Sequence, residues 1–334
     1  MYSKHARLVF LLLAALLLVP AFSGMACTST STAASPVRIG YLLGDLHQLP
    51  FFVAQEKGFF KDEGVNVQVV GPFDAGPAEM DALAANQLDI GYVGVSPAIL
   101  AAARKVELSV IAGVNLEGSA LATANSINSV AELKAKKVAT PAPGSMQYIL
   151  MGMLLSSNKM SFNDLELFPG TIKPPDMAQA LQTGQIDGYF VWEPFISKSV
   201  VSGTGKVLVE SKDIWAGHPC CVVVTKNDFA TQNDSVVSAI VRAHKKAVQF
   251  IEANPSEAKL IAQKWTKLDA AVIDAAFGRV KYTYSVNKDD VKKFVQEIIS
   301  LGTSGTIKPI ITVSDVPDIG AFVDKIVDLK YLQR

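Results

Sequence analysis

The sequence predicts an α/β protein built as two lobes joined by two chain crossings, and three observations carry that expectation. From Val37 onward, short apolar strand candidates alternate with helical stretches over short connections, the pattern of open sheets covered by helices on both faces. A nearly repeated stretch occurs once in each half, Ala82-Leu83 through Gln87-Leu88-Asp89-Ile90-Gly91-Tyr92-Val93 to Ser96-Pro97 and Ala180-Leu181 through Gln185-Ile186-Asp187-Gly188-Tyr189-Phe190-Val191 to Glu193-Pro194. Beyond the N-terminal leader about 300 residues remain, more than a single core usually organises.

The chain opens with Lys4 and Arg7, an apolar run from Leu8 to Val19, and Gly24-Met25-Ala26. A basic start, an apolar middle and small residues at the end make an export signal over residues 1–26, and the run is too short for a comfortable bilayer span. Cys27 follows directly and resembles the acylated cysteine of a lipoprotein box, although Gly24 stands where that box usually carries an aliphatic residue. Residues 27–36 are small and polar and read as a flexible tether.

Strands are expected at Val37 to Leu42, Val65 to Val70, Asp89 to Val93 and Leu108 to Val114, with a helix from Leu49-Pro50 to Phe60. Val65, Val67 and Val69 alternate as a half-buried strand does. The chain then crosses near Ala122 to Asn125 into a second alternation: helix 130–135, strand 137–140, helix 145–157, strand 165–168, helix 176–183 and strand 187–191, with the second lobe ending near Lys206 to Val209. Cys220 to Thr225 is an apolar strand that carries the chain back. Helices follow at 235–254, 255–267, 269–279 and 288–301, the first with an apolar stripe of Val237, Ile240, Val241, Val248 and Ile251 interrupted by His244. This division assigns 37–123 and 226–334 to lobe 1 and 124–225 to lobe 2, with a two-strand hinge between them.

Basic and acidic side chains balance at 31 each, and loss of Lys4 and Arg7 with the leader leaves the remainder slightly acidic. Without a polybasic patch, neither nucleic acid nor an anionic membrane surface is expected as the main partner. Cys220 and Cys221 are adjacent; neighbours in a strand point to opposite faces, so two packed thiols are expected rather than a disulfide. His5, His47, His218 and His244 show no zinc-type spacing with the cysteines, so no metal site is expected. No G-x-S-x-G elbow, Walker-type loop or H-E-x-x-H pair points to catalysis.

If the lobes face each other, four strand-to-helix mouths line the cleft: Gly44 to Leu49 and Gly94 to Ser96 in lobe 1, Pro141 to Gln147 and Trp192-Glu193 in lobe 2. Unsatisfied backbone donors at helix N-termini hold the oxygens of a small anion without a lysine. Gly94, Val95 and Met146 belong to these mouths, and Gly144 permits close backbone approach. Ser96 and Ser145 can donate a hydroxyl to an oxyanion, and both are equally placed to cap helices. Trp192 beside Glu193 can cover an organic body or face an ammonium group; Glu193 either accepts from an amine or heterocycle N–H, or caps the proline-started helix. Tyr92 either lines the pocket or packs in its lobe. His47, Gln48, His218 and Asn115 complete the polar candidates.

Val-Arg-Ile-Gly-Tyr at 37–41, His47-Gln48-Leu49-Pro50, Ala54-Gln55-Glu56-Lys57-Gly58-Phe59-Phe60, Glu63-Gly64-Val65, Asp89-Ile90-Gly91-Tyr92, Ser129 to Lys137 with Val138-Ala139-Thr140, and Trp192-Glu193-Pro194 resemble the nitrate, sulfonate and taurine group of solute-binding proteins. The resemblance implies the two-lobed periplasmic-binding-protein fold, an exported or lipid-anchored receptor, a small-molecule ligand, a membrane ABC permease as partner, a monomer, and no cofactor. An organic sulfonate such as taurine is the implied guest; a pyrimidine or vitamin-like heterocycle is the alternative, with Glu193 and His218 on its ring nitrogens. The same fold holds a thiamine-pyrimidine synthase, whose cysteine-rich strand falls where Gly217-His218-Pro219-Cys220-Cys221 lies. The lysine that the synthase needs for its pyridoxal phosphate falls near Val93, which has no amine. A sensor subunit of a membrane kinase is a third functional class.

Overall fold

The computed structural model describes residues 35–334. The expected export signal, Cys27 and nearly all of the tether lie outside the described residues. No helix among those described is long and apolar enough to cross a membrane.

The first part of the chain forms β1 (Val37–Leu42), α1 (Leu49–Glu56), α2 (Phe59–Asp62), β2 (Val67–Phe73), α3 (Gly76–Ala84), β3 (Ile90–Gly94), α4 (Val95–Ala103) and β4 (Leu108–Glu117). Next come β5 (Ser119–Thr123), β6 (Lys137–Thr140), α5 (Met146–Ser157), β7 (Glu166–Pro169), α6 (Pro174–Gln182), β8 (Gly188–Trp192), α7 (Phe195–Val201), β9 (Lys206–Glu210) and α8 (Ser211–Ile214). The last part holds β10 (Pro219–Lys226), α9 (Asn227–Gln232), α10 (Asp234–Ala253), α11 (Pro255–Thr266), α12 (Ala270–Phe277), β11 (Val280–Tyr282), α13 (Lys288–Thr303) and α14 (Ile319–Ile326).

These strands make two sheets, in the orders β11-β4-β10-β3-β1-β2 and β7-β6-β8-β5-β9. In the first, β1 runs parallel to β2 and β3 while β10 runs antiparallel to β3 and β4. In the second, β6 runs parallel to β7 and β8 while β5 runs antiparallel to β8 and β9. The antiparallel strands β5 and β10 are those that receive the chain after a crossing. The switches therefore fall at Gly118 and between Ile214 and Pro219, not at 122–125 and 222–225: β5 already belongs to the second sheet and β10 already to the first.

Gly118 turns the first crossing at φ +85, and a Cβ there would stand 2.4 Å from His47 Nε2. Only glycine fits both the left-handed backbone and that approach. The helix expected to run from 49 to 60 is broken by Gly58 at φ 75 into α1 and α2, and helix 130–135 is a single 3-10 turn at Val130–Leu133. Among the late helices, α10 and α11 pack on α1 of the first lobe while α12 packs on α7 of the second, so the helical tail touches both.

Candidate functional site

Residues from all four mouths enclose one small hollow between the sheets. Asp45 from the β1–α1 loop, Gly94 and Pro97 at the start of α4, Ser145, Met146 and Gln147 at the start of α5, and Trp192 at the end of β8 line it, with Leu42, Gly76 and Cys221. Its free space is about 10 Å³, roughly the room of one water centre. The Ser96 hydroxyl donates to the Gly144 carbonyl at 3.0 Å, a bond from one lobe to the other that uses two of the expected site residues. Ser145 caps α5, accepting from Tyr148 N at 3.3 Å, and keeps its own O–H proton for another acceptor. Trp192 is 1% exposed and its indole Nε1–H has no acceptor. A buried donor without a partner costs about 1–3 kcal/mol, so Trp192, a lining residue of the hollow, is short of an acceptor.

Beneath the hollow lies a buried polar cluster. Asp45 Oδ1 accepts from His47 N at 2.9 Å, Gln48 Oε1 accepts from Leu42 N at 2.8 Å, and Gln48 Nε2 donates to Asp45 Oδ2 at 3.4 Å. Gln48 thus holds the loop and does not line the hollow. Burial pushes the Asp45 carboxyl up to about 7 against the opposing pull of His47. His47 Nε2 lies 2.7 Å from the Gly118 carbonyl, which requires a proton on that nitrogen. Its Nδ1 faces Cys220 Sγ at 3.4 Å and Cys221 Sγ at 3.9 Å. Burial lowers the His47 pKa, but the Cys220 sulfur and Asp45 outweigh it and bring His47 up to about 10. A hydrogen bond from Cys221 holds the Cys220 thiol well below its ordinary range.

The expectation that neighbouring cysteines point apart fails because β10 is irregular there. Its pairing with β4 shifts between Pro219 and Cys221 and again between Cys221 and Val222, and a bulge re-aims the side chains around it. Both thiols are free and buried. The amide of Asn115 serves this irregularity, with Oδ1 accepting from Cys221 N at 3.1 Å and Nδ2 donating to the Glu117 carbonyl at 3.1 Å.

Several other expected residues turn away from the hollow. The Tyr92 hydroxyl points into the lobe core at His244 Nδ1, 3.3 Å away. Glu193 spends Oε2 on Ser197 N at 3.1 Å and Oε1 on Ser197 Oγ at 3.0 Å and Arg279 Nη1 at 2.9 Å, so it caps α7 and closes an ion pair. His218 donates from Nδ1 to the Pro219 carbonyl at 3.0 Å and leaves Nε2 unpartnered, away from the hollow's lining. Val95 is buried as the first residue of α4. Asp45 and Gln147, which do line the hollow, lay inside the expected mouths without being singled out. The sequence marks Cys221 only as a packed thiol and carries no signal for Arg279.

The family model described as NMT1-like family matches residues 32–265. A Bacillus subtilis (strain 168) protein named for binding aliphatic sulfonates is 27% identical over 258 residues, covering 74% of this chain and 76% of the relative. The taurine-binding periplasmic protein of Escherichia coli (strain K12) is 31% identical over 211 residues, covering 62% and 64%. The periplasmic nitrate-binding protein of Synechocystis superposes with a TM-score of 0.77 at 19% identity, covering 89% of this chain and 87% of that one. That likeness carries the fold, the two-lobed α/β architecture of periplasmic binding proteins. With the family model spanning well over half of its length, this chain belongs to the NMT1-like family.

Proposed function

We propose that the protein is the extracytoplasmic solute-binding component of an ABC importer and that its guest is a small organic sulfonate carrying an amine, of the taurine type. The observation that carries the reading is the buried Trp192 indole N–H without an acceptor. Trp192 lines a hollow flanked by the N-termini of α4 and α5, whose free backbone donors favour anion oxygens. Asp45 on the same lining suits an ammonium group, and relatives named for aliphatic sulfonates and taurine agree with this pairing. The heterocycle reading loses support, since Glu193 is engaged with Arg279 and His218 does not reach the hollow. Export, anchoring through Cys27 and docking on a membrane permease as a monomer belong to the same proposal.

Calorimetry with taurine, ethanesulfonate, nitrate and a pyrimidine tests it. Trp192→Phe is expected to weaken sulfonate binding roughly 10- to 100-fold, the worth of a hydrogen bond to a charged group, with the melting temperature of the free protein nearly unchanged. Asp45 titrates near 7, facing His47 and Cys220, so its ionised form pairs with ammonium and repels a bare anion. Taurine affinity is expected to rise from pH 6 to pH 8 while ethanesulfonate affinity falls. Equal slopes for the two, or tighter binding of the pyrimidine, would refute the assignment.

A further inference from the structure

From the meeting of His47 Nδ1 with the sulfurs of Cys220 and Cys221, we propose that this protein binds one thiophilic metal ion of the zinc type at these three residues. The three ligand atoms all lie within 4.8 Å of one another. A tetrahedral ion with Zn–S of about 2.3 Å and Zn–N of about 2.0–2.1 Å sets N···S edges near 3.6 Å and an S···S edge near 3.8 Å. The observed Nδ1···Sγ separations of 3.4 and 3.9 Å bracket the N···S edge, and the two sulfurs stand within 4.8 Å of each other.

The surroundings suit the ion as well. The other imidazole nitrogen is tied to the Gly118 carbonyl at 2.7 Å, which fixes ring and tautomer as a metal-bound histidine requires. Two thiolates and an imidazole select a soft ion over magnesium or calcium. Asp45 Oδ1 stands 3.5 Å from Nδ1 and adds negative potential for a dication. Binding a divalent ion removes two protons from the His47–Cys220–Cys221 group, which pass to solvent. Three protein ligands leave a fourth position for water or a guest. Cys221 is shared with the hollow, so the opening of the cleft gives the buried cluster its route to solution. Sequence spacing hides the site, because His47 and Cys220 are 173 residues apart.

The site does not depend on the transport reading, and sulfonate binding by metal-free protein is measured separately. The chain has three cysteines, so a Cys27→Ser background leaves only the two proposed thiols. This protein, reduced and stripped with a chelator, is titrated with Co²⁺. One equivalent is expected to bring up a thiolate-to-cobalt charge-transfer band with tetrahedral visible bands, to release two protons, and to be displaced by Zn²⁺. Cys220→Ser and Cys221→Ser are each expected to weaken cobalt binding at least tenfold, and His47→Gln to alter the visible bands. Absence of the charge-transfer band in the Cys27→Ser protein overturns the proposal, whatever the folding of the other variants. A band that survives loss of both remaining thiols, or an ion taken only as Cu⁺, overturns it equally.

Discussion

His244 interrupts the apolar stripe of α10, and its ring has two fixed jobs. Nε2–H donates to the Gly113 carbonyl at 2.7 Å, and Nδ1 accepts from the Tyr92 hydroxyl at 3.3 Å. Full burial lowers its pKa to about 4, so the native state holds the ring neutral while the unfolded chain takes up a proton near pH 6.5. Stability from this group is complete above pH 6.5 and is lost as pH falls toward 4, by up to about 3 kcal/mol. Urea titrations of the wild type and His244→Gln at several values between pH 7 and 4 check this. The difference in stability between the two proteins is expected to shrink as pH falls; parallel curves would remove His244 as the cause. The same bonds explain why Tyr92 turns inward: its hydroxyl is the donor that the histidine lacks.

Arg279, just beyond α12, ties the helical tail to α7 of the second lobe. Its Nη1 donates to Glu193 Oε1 at 2.9 Å and to Ser197 Oγ at 2.9 Å, and its Nε to Glu210 Oε1 at 3.2 Å. Burial raises the Glu193 pKa, and the nearby guanidinium opposes that rise. Losing one partner of a buried pair costs about 3–5 kcal/mol, and the partial exposure of Arg279 brings the cost to the bottom of that range or below it. Arg279→Met is expected to destabilise by about 2–3 kcal/mol in denaturant titration, and adding Glu193→Gln to recover most of the loss. Costs that simply add would show that the two act independently. Element positions were largely legible in the chain: strands 37–42 and 137–140 stand where expected, because period-two alternation and glycine or proline stops are local signals. Side-chain direction was not. Glu193 is claimed by an arginine 86 residues away, and the cysteine pair is re-aimed by a bulge that only strand pairing creates. The crossings lie a few residues before their expected places for the same reason, since which sheet adopts a strand depends on partners distant in sequence.

The hollow between the two sheets has room for about one water, so on the proposed function the lobes must part to admit a sulfonate-sized guest. A ligand then favours closure only through contacts that the open form lacks. Gly94 and Met146 meet across this interface: a Cβ on Gly94 would lie 2.9 Å from Met146 Cγ, while the Gly94 backbone, at φ −60, is ordinary for any residue. A side chain at 94 therefore presses hardest on Met146 of the opposite lobe, with Pro97 Cδ of its own lobe at 3.3 Å, and acts as a wedge between lobes. If Gly94→Val reduces the closed population tenfold, apparent affinity falls by the same factor, because a guest that needs the closed form sees only that fraction. Calorimetry is expected to read a loss of about tenfold, and small-angle scattering a larger radius of gyration for the free variant, with the melting temperature close to that of the wild type. Ser96→Ala, which removes the bond to the Gly144 carbonyl, is expected to act in the same direction with a smaller effect. Were Gly94→Val to bind sulfonate as tightly as the wild type while scattering as the open form, closure would not be the step that holds the guest.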